Sequence, residues 1–393
     1  METTPVKYLE ERHDEMLKLL KDLVLIQSGT HNKPGVNRVC NAVVKAVEDL
    51  PVRITRLEHE HWGDTLILSG SSAGDSGNIL LVGHMDTVFP EDTDFNWYRE
   101  DEKNAYGPGV IDMKGGIVSI IYALKALDSC NMLSKIPIRV IFNSDEEIGS
   151  PVSREIIASE AKKSAMSLVT ECCGMNGEVV TGRKGRLGLE MQVRGKAGHA
   201  ANLTEEKSSA VLALAYKIIK IESLNNTFPE LTVNVGLIEG GTGPNSIAET
   251  AMAAIDIRFS SEKTLSNFMI SLEKINNRID VAGTTSRIVK VADRPAMVTT
   301  EQNRELFSIA AEAGERLGIP VVEEFRSGGS DANIIAAAGT PVIDGLGPIG
   351  RYDHSDREYM IKESLLDRTK LLVLLIELGH QRLLSGKLFK QVI

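Results

Sequence analysis

Five short segments of this 393-residue chain carry imidazole or carboxylate groups in positions where they can act together. His84-Met85-Asp86 closes an apolar run at 78–82, and Asp112 lies in the glycine-rich segment Gly107-Pro108-Gly109-Val110-Ile111-Asp112-Met113-Lys114-Gly115-Gly116. Asp145-Glu146-Glu147 closes a second run at 137–142, Glu171 follows the apolar stretch 167–170, and His354 stands in Tyr352-Asp353-His354-Ser355-Asp356. Open α/β sheets bind ligands beyond the carboxyl ends of their strands, so these ends are expected to converge.

Convergence raises a charge problem. Carboxylates sharing one pocket repel by about 4 kcal/mol per close pair at an effective dielectric of roughly 20. Two divalent cations would cancel this. Asp112, Glu147 and Glu171 supply three negative charges and a bridging hydroxide a fourth, while His84 and His354 add neutral nitrogen ligands. Mixed imidazole and carboxylate ligation suits two zinc ions, with cobalt or manganese as alternatives. Each segment alone has a plainer reading. His-x-Asp is commonly a hydrogen-bonded pair, Asp-Glu-Glu a solvated turn, and the glycine-rich loop a turn before a helix; that loop lacks the Gly-Lys-Ser/Thr of a phosphate cradle. The conjunction of all five carries the metal reading.

The elements that must position these groups follow from periodicity. Apolar residues recur at helical spacing near the N-terminus and over 37–50. Continuous apolar strands at 78–82 and 137–142 flank a helix at 115–127, which suggests a mostly parallel sheet with helices on both faces. From about 187 the texture changes to alternation, with Leu189, Met191 and Val193 between Glu190, Gln192 and Arg194. Helices at 205–222 and 262–279 and strands at 231–238, 251–259 and 286–292 complete a β-α-β-β-α-β order, the split βαβ plan of a ferredoxin-like two-layer domain. After Pro295 helices (303–317, 331–338, 363–384) alternate with strands (320–324, 341–344). The expected organisation is one α/β domain, 1–185 and 296–393, interrupted by a smaller α+β domain at 186–295.

Composition sets limits. Forty-four basic against 54 acidic residues give a net charge of −10, which argues against nucleic acid or an anionic membrane as partner. No apolar run approaches the ~20 residues of a membrane span. The first 21 residues lack the apolar core of a signal peptide, and Cys40, Cys130, Cys172 and Cys173 fit no zinc or disulfide framework, so a reducing, cytoplasmic setting is expected.

At the five segments the sequence resembles the M20 family of dinuclear zinc aminoacylases and carboxypeptidases, over about residues 10–385. Gly107-Pro108-Gly109 and Asn143-Ser144-Asp145-Glu146-Glu147 are similar to its carboxypeptidase G2 branch. The resemblance implies a zinc-peptidase-like catalytic domain with an inserted lid and dimerisation domain. It implies His84, Asp112 and Glu171 at one metal, His354, Asp112 and Glu147 at the other, and Asp112 as the bridge. Asp86 would orient His84, and Glu146 would be the general base. In the insertion, Gly195-Lys196-Ala197-Gly198-His199-Ala200 is similar to the motif whose histidine serves the other subunit's site, which implies a homodimer. Asn245 and Arg258 match positions that hold the substrate's free carboxylate, and Arg294, Gly329 and Ser330 match further substrate contacts. The loop after His199 departs from the family, with Ala201, Thr204, Lys207 and Ser209 among the changed positions.

The implied reaction is hydrolysis of a peptide or N-acyl amino acid, a carboxypeptidase releasing glutamate or, alternatively, a deacylase of the acetylornithine or succinyl-diaminopimelate type. Gly328-Gly329-Ser330-Asp331-Ala332 also approximates a serine hydrolase elbow, though without its terminal glycine. A binding protein that has lost turnover would be expected to lack Glu146, which is present.

Overall fold

The computed structural model describes residues 4–201, 207–228 and 230–389. The expected start of a helix at Glu205, together with Thr204, lies outside the described residues. The chain packs into two compact units, Met1–Gly182 with Thr299–Arg326 and Ser330–Ile393, and Arg183–Val298 with Ser327–Gly329.

The first unit is built on a six-stranded sheet in the order Val52–Leu57, Thr65–Gly70, Ile138–Asn143, Asn78–His84, Ser164–Val169, Val342–Ile343. Its first two junctions are antiparallel and the other three parallel, so the sheet is mixed. The parallel half is the part legible as continuous apolar runs. Ile79 and Leu81 join the main core, while Leu80 and Val82, which point the other way, are also fully buried, so both faces are covered. The edge strand Val52–Leu57 (VRITRL) alternates and is half exposed, which hid it among its charges.

The long helix Lys114–Ser129 crosses this sheet and packs against the C-terminal helix Lys362–Leu384. Gly116 sets how closely its first turn approaches the strand ends, because a Cβ there would lie 2.1 Å from the Thr170 carbonyl oxygen. That approach brings the Asp112 loop and Glu171 together. Among the described residues no helix is long and apolar enough to cross a membrane.

The second unit is a four-stranded antiparallel sheet, ordered Leu231–Gly240, Thr250–Phe259, Gly185–Arg194, Thr285–Arg294. Its core holds Leu187, Leu189, Met191 and Val193 together with residues of the helices Ala210–Ser223 and Glu262–Asn277. Ser209 and Ser261 cap the two helices, accepting from Leu212 N and Thr264 N. Buried Lys217 donates from Nζ to the carbonyls of Ile275, Asn276 and Arg278, which satisfies the C-terminal end of the second helix. The last strand carries a bulge. Lys290 lies opposite Leu189 and Ala292 opposite Gly188, leaving Val291 as the extra residue.

Gly116→Ala is expected to lower the urea midpoint markedly, since a backbone atom must move. Gly74→Ala, which nothing approaches within 4 Å, serves as control and should leave the midpoint unchanged. Equal midpoints for the two variants would refute the close approach.

Candidate metal centre

His84 is the last residue of its strand and pairs in register with Asn143, so the next residues of both strands leave the sheet side by side. Thr170 N bonds the Val82 carbonyl, which brings Glu171 to the same edge. Glu146–Ile148 forms a single tight turn after Ile138–Asn143. Asp112 lies just before the helix at Lys114, and His354 sits on a loop where its φ of 60° is left-handed.

These side chains meet. Asp112 divides its carboxylate, with Oδ1 3.1 Å from His84 Nε2 and Oδ2 3.1 Å from His354 Nε2. Glu171 Oε1 is 3.6 Å from His84 Nε2, and Glu147 Oε2 is 3.4 Å from His354 Nε2. Two donors bound to one tetrahedral ion at about 2.0 Å sit roughly 3.3 Å apart, so these spacings suit ligands around two ions with Asp112 between them. Donor atoms of His84, Glu146 and Glu171 also lie within 4.8 Å of one another, as do those of Asp112, Asp353 and His354.

The electrostatics fit that reading. Burial, and then the charge of Asp112, push Glu147 up to about 8 and hold Glu171 well above the carboxylate range. Burial opposes ionisation of Asp112 as well, yet hydrogen bonds with His354 and His84 keep it below that range. His354 is raised to about 11 by its bonds with Asp112 and Glu147. Burial works against the charged form of His84, but Asp112 and Asp86 carry it well above the usual imidazole value. Glu147 Oε1 is buried with no hydrogen-bond partner, the mark of an acceptor made for a ligand. A cluster that must borrow protons to balance its acids has the donor set and the charge for divalent cations.

A second layer fixes the first. His84 Nδ1 lies 3.0 Å from the Asp86 carbonyl and 3.3 Å from its Oδ1, which leaves Nε2 for a metal. The Asp86 carboxylate also accepts Thr30 Oγ1 at 2.7 Å and the backbone amides of Glu146 and Glu147 at 3.3 Å. Asp145 holds the same turn from beneath, accepting Val152 N, Ser153 N and Ser153 Oγ. Fully buried Glu358 accepts three amides of the Asp112 loop, those of Gly109 and Ile111 at 2.9 Å and of Asp112 at 3.2 Å. Buried Arg368 donates to the carbonyls of Gly345 and Gly347, and Gly347 N donates to the Glu171 carbonyl. Thr30, Glu358 and Arg368 were not legible as site residues. The one signal was an acid, Glu358, opening the otherwise apolar Tyr359-Met360-Ile361.

Ser330 requires a correction. Expected among the substrate contacts, it is 1% exposed; its Oγ donates to Asp344 Oδ2 at 2.5 Å and accepts Ala332 N as the cap of the helix Asp331–Ala337. Its neighbour Asp331 accepts Asn143 Nδ2 and Ser150 Oγ within the network behind the Glu146 turn. With Ser330 committed to Asp344 and His354 to Asp112, the serine hydrolase reading fails.

In the second unit, Gly198–His199 pairs with Ser246–Ile247, and Ala200 N donates to the Asn245 carbonyl, so His199 and Asn245 share one end. Arg258 lies elsewhere. It is eight residues along the strand from Thr250, roughly 26 Å away at 3.3 Å per residue, so the structure does not place Asn245 beside it. Arg258 instead lies opposite Arg186, which lies opposite Arg294, a row of three arginines across adjacent strands on one face. Arg258 Nε and Arg186 Nε both donate to Asp256, at 2.8 and 2.6 Å. Arg186 was not anticipated, because alone it reads as an exposed strand residue. Gly329 packs with this unit through Gly328, whose carbonyl accepts Arg183 Nη1.

Comparison with known proteins agrees with this geometry. Residues 80–378 match the profile of Peptidase family M20/M25/M40. Carboxypeptidase G2 of Pseudomonas sp. (strain RS-16) is 30% identical over 375 residues, 93% of this chain and 89% of its own. Succinyl-diaminopimelate desuccinylase of Marinobacter nauticus is 26% identical over 373 residues, 89% of this chain and 94% of its own. Among solved structures, aminopeptidase PepT of Bacillus cereus superposes with a TM-score of 0.77 at 23% identity, covering 93% of this chain and 98% of that one. An M20 family metallo-carboxypeptidase of Sulfolobus solfataricus gives 0.74 at 17%, covering 93% and 99%. These two likenesses bear on the fold.

Glu358→Gln must turn an N–H toward at least one of the three loop amides. Zinc affinity, measured by competition with a chelator, is expected to fall about 10–100-fold, with a changed visible spectrum for the cobalt-loaded protein. Unchanged affinity and spectrum would remove Glu358 as a positioning residue.

Proposed function

Because the chain belongs to peptidase family M20/M25/M40 and is an amide-bond hydrolase, we propose that it is a two-metal exopeptidase. It releases a C-terminal amino acid, glutamate by preference, from a peptide or N-acyl conjugate. The observation that carries the two-metal reading is the division of Asp112 between His84 and His354. His84, Asp112 and Glu171 would hold one zinc ion, and His354, Asp112 and Glu147 the other. When bound, the ions supply Lewis acidity toward the scissile carbonyl and lower the pKa of a shared water.

The rest is the work of side chains. Glu146, in the same cluster and anchored through its backbone amide to Asp86, takes the proton of the attacking water and delivers it to the leaving amine. Asp86 keeps the His84 ring oriented. Arg258, with Arg186 and Arg294 in register beside it, receives the carboxylates of the leaving amino acid; three guanidinium groups suit a dicarboxylate such as glutamate better than a neutral residue. His199 donates to the oxyanion that develops on the carbonyl. Its distance along the sheet from Arg258 supports a division in which His199 and Asn245 serve the site of a second copy.

That second copy has a candidate face. The strand Leu231–Gly240 is an uncovered sheet edge with Leu237 and Ile238 exposed, and the helix Ala210–Ser223 packed on it exposes Val211, Leu212, Tyr216 and Ile219. Open edges and contiguous apolar patches invite pairing, and we take this face as a homodimer interface. Light scattering should give a dimer for the wild type and a monomer for Ile219→Glu combined with Leu237→Lys; a monomeric wild type at micromolar concentration would dismiss it.

The N-acyl-amino-acid deacylase reading rests on relatives named succinyl-diaminopimelate desuccinylase and acetylornithine deacetylase, at 26% and 28% identity. A panel of peptidyl and N-acyl derivatives of glutamate, aspartate, alanine and ornithine separates the two. We expect EDTA-sensitive amine release favouring glutamate, abolished by Glu146→Ala with metal content retained. Arg258→Ala should raise KM for glutamate conjugates about tenfold or more while kcat changes little. Preference for acylated basic amino acids would shift the assignment to the deacylases, and EDTA-resistant release would end the two-metal reading.

A further inference from the structure

Ser330 caps a helix, but the acid that follows it has a reach the reaction described above does not use. Asp331 is 2% exposed and opens the helix Asp331–Ala337. Its two carboxylate oxygens accept from residues on either side of one short loop. Oδ2 accepts Asn143 Nδ2 at 2.8 Å, and Oδ1 accepts Ser150 Oγ at 2.5 Å. Asn143 is the last residue of the strand Ile138–Asn143, in register with His84. Ser150 is where the chain leaves the tight turn Glu146–Ile148. Between those two anchors run residues 144–149, Glu146 and Glu147 among them.

The exit from that turn is unfavourable without help. Gly149 and Ser150 are successive left-handed residues, with φ of 96° and 56°. Glycine adopts this region freely, whereas a side chain brings its Cβ against a backbone carbonyl. Ser150 is nonetheless wholly buried there. Its amide donates to the Asp145 carbonyl at 2.8 Å and its carbonyl accepts Arg154 N at 3.0 Å, so one residue closes the turn and leads into the helix Arg154–Lys162. Glycine would serve that backbone better. What serine adds is a hydroxyl, and the hydroxyl goes to Asp331. At the entry, Asn143 Nδ2 also donates to Ser153 Oγ at 3.0 Å, and Ser153 Oγ donates to Asp145 Oδ1. The other holds on this turn act from nearby: Asp86 gathers the amides of Glu146 and Glu147, and Asp145 gathers those of Val152 and Ser153. Asp331 comes from 181 and 188 residues away and fixes where the two ends stand.

We propose that Asp331 is a positioning residue that clasps both ends of the turn carrying the general base, with Ser150 as its partner at the exit. The clasp aims Glu146 at the attacking water and keeps Glu147 in place beside it. For what the turn does, the inference rests on the two-metal hydrolase reading; the clasp itself does not. A misplacement of about 1 Å at a reacting group costs on the order of 100-fold in rate. The clasp therefore acts on kcat, and substrate binding by the arginines of the second unit stays as it is.

Two variants of the full-length protein test this. Ser150→Gly keeps the left-handed backbone and removes only the hydroxyl, and Asp331→Ala removes the acceptor at both ends. In the zinc-free protein, amide hydrogen exchange over residues 144–150 is expected to quicken at least about tenfold in each variant, with the strands of the sheet exchanging at wild-type rates. In the zinc-saturated protein, acting on peptidyl-glutamate, kcat is expected to fall about 10–100-fold while KM stays within about twofold of wild type. The double variant should be no slower than Asp331→Ala alone, because at Ser150 both changes remove the same contact. If Asp331→Ala does not fold, Ser150→Gly carries both measurements. Unchanged exchange over 144–150, exchange quickened equally throughout the chain, or a loss of activity that lies in KM would each overturn the clasp. Failure of the reaction reads differently. A wild type that hydrolyses no conjugate ends the hydrolase reading, and the exchange rates then decide the clasp by themselves. Turnover by the wild type with unchanged exchange in Ser150→Gly removes the clasp and leaves the hydrolase.

Discussion

Four carboxylates, Asp112, Glu146, Glu147 and Glu171, are held around two imidazoles at the buried end of one sheet, where like charges repel with little water to screen them. The surrounding structure answers that repulsion. Protons on His84 and His354 and on the raised acids are the balance available to the side chains themselves, and they occupy the atoms a metal would need. Loading such a site exchanges protons for cations, which ties metal affinity to acidity and to the folded arrangement together.

Holding acids that repel requires backbone as well as side chains. Asp86 gathers the amides of Glu146 and Glu147, Glu358 gathers those around Asp112, and Arg368 fastens the loop that bonds the Glu171 carbonyl. Each is fully buried, and each secures a segment from a different part of the chain. Burial of an ionisable group without its partners is strongly unfavourable, so these groups stay where the fold supplies their hydrogen bonds, and the ligand segments stay with them.

Much of this was legible in the sequence because strand ends announce themselves. A continuous apolar run that stops at His84, Glu147 or Glu171 gives both the parallel part of the sheet and the place where its ligands emerge. The alternation of Leu189, Met191 and Val193 likewise gave away the two-layer insertion. Less visible were elements whose residues look ordinary alone. Val52–Leu57 is half exposed and charged, as an edge strand is, and its antiparallel pairing with Thr65–Gly70 made the sheet mixed. Glu358 and Arg368 act only through contacts hundreds of residues apart in sequence, or through carbonyls that any residue possesses. At Ser330 a helix cap and a substrate contact share the same small hydroxyl, and only burial separates them. The residue count between Asn245 and Arg258 hides where each stands, because the strand Thr250–Phe259 runs extended and carries Arg258 toward its far end.

The bulge at Val291 has a consequence for the arithmetic of charge. Residues facing one another across a sheet are set by count alone, and the strand Thr285–Arg294 gains one count there. Were Val291 taken into the ladder instead of bulging out of it, Asp293 rather than Arg294 would stand opposite Arg186. A row of three arginines would become a row interrupted by an acid, with no residue altered in kind. The bulge thus acts as a sign, because absorbing that one residue into the pairing would rewrite which anions the sheet attracts.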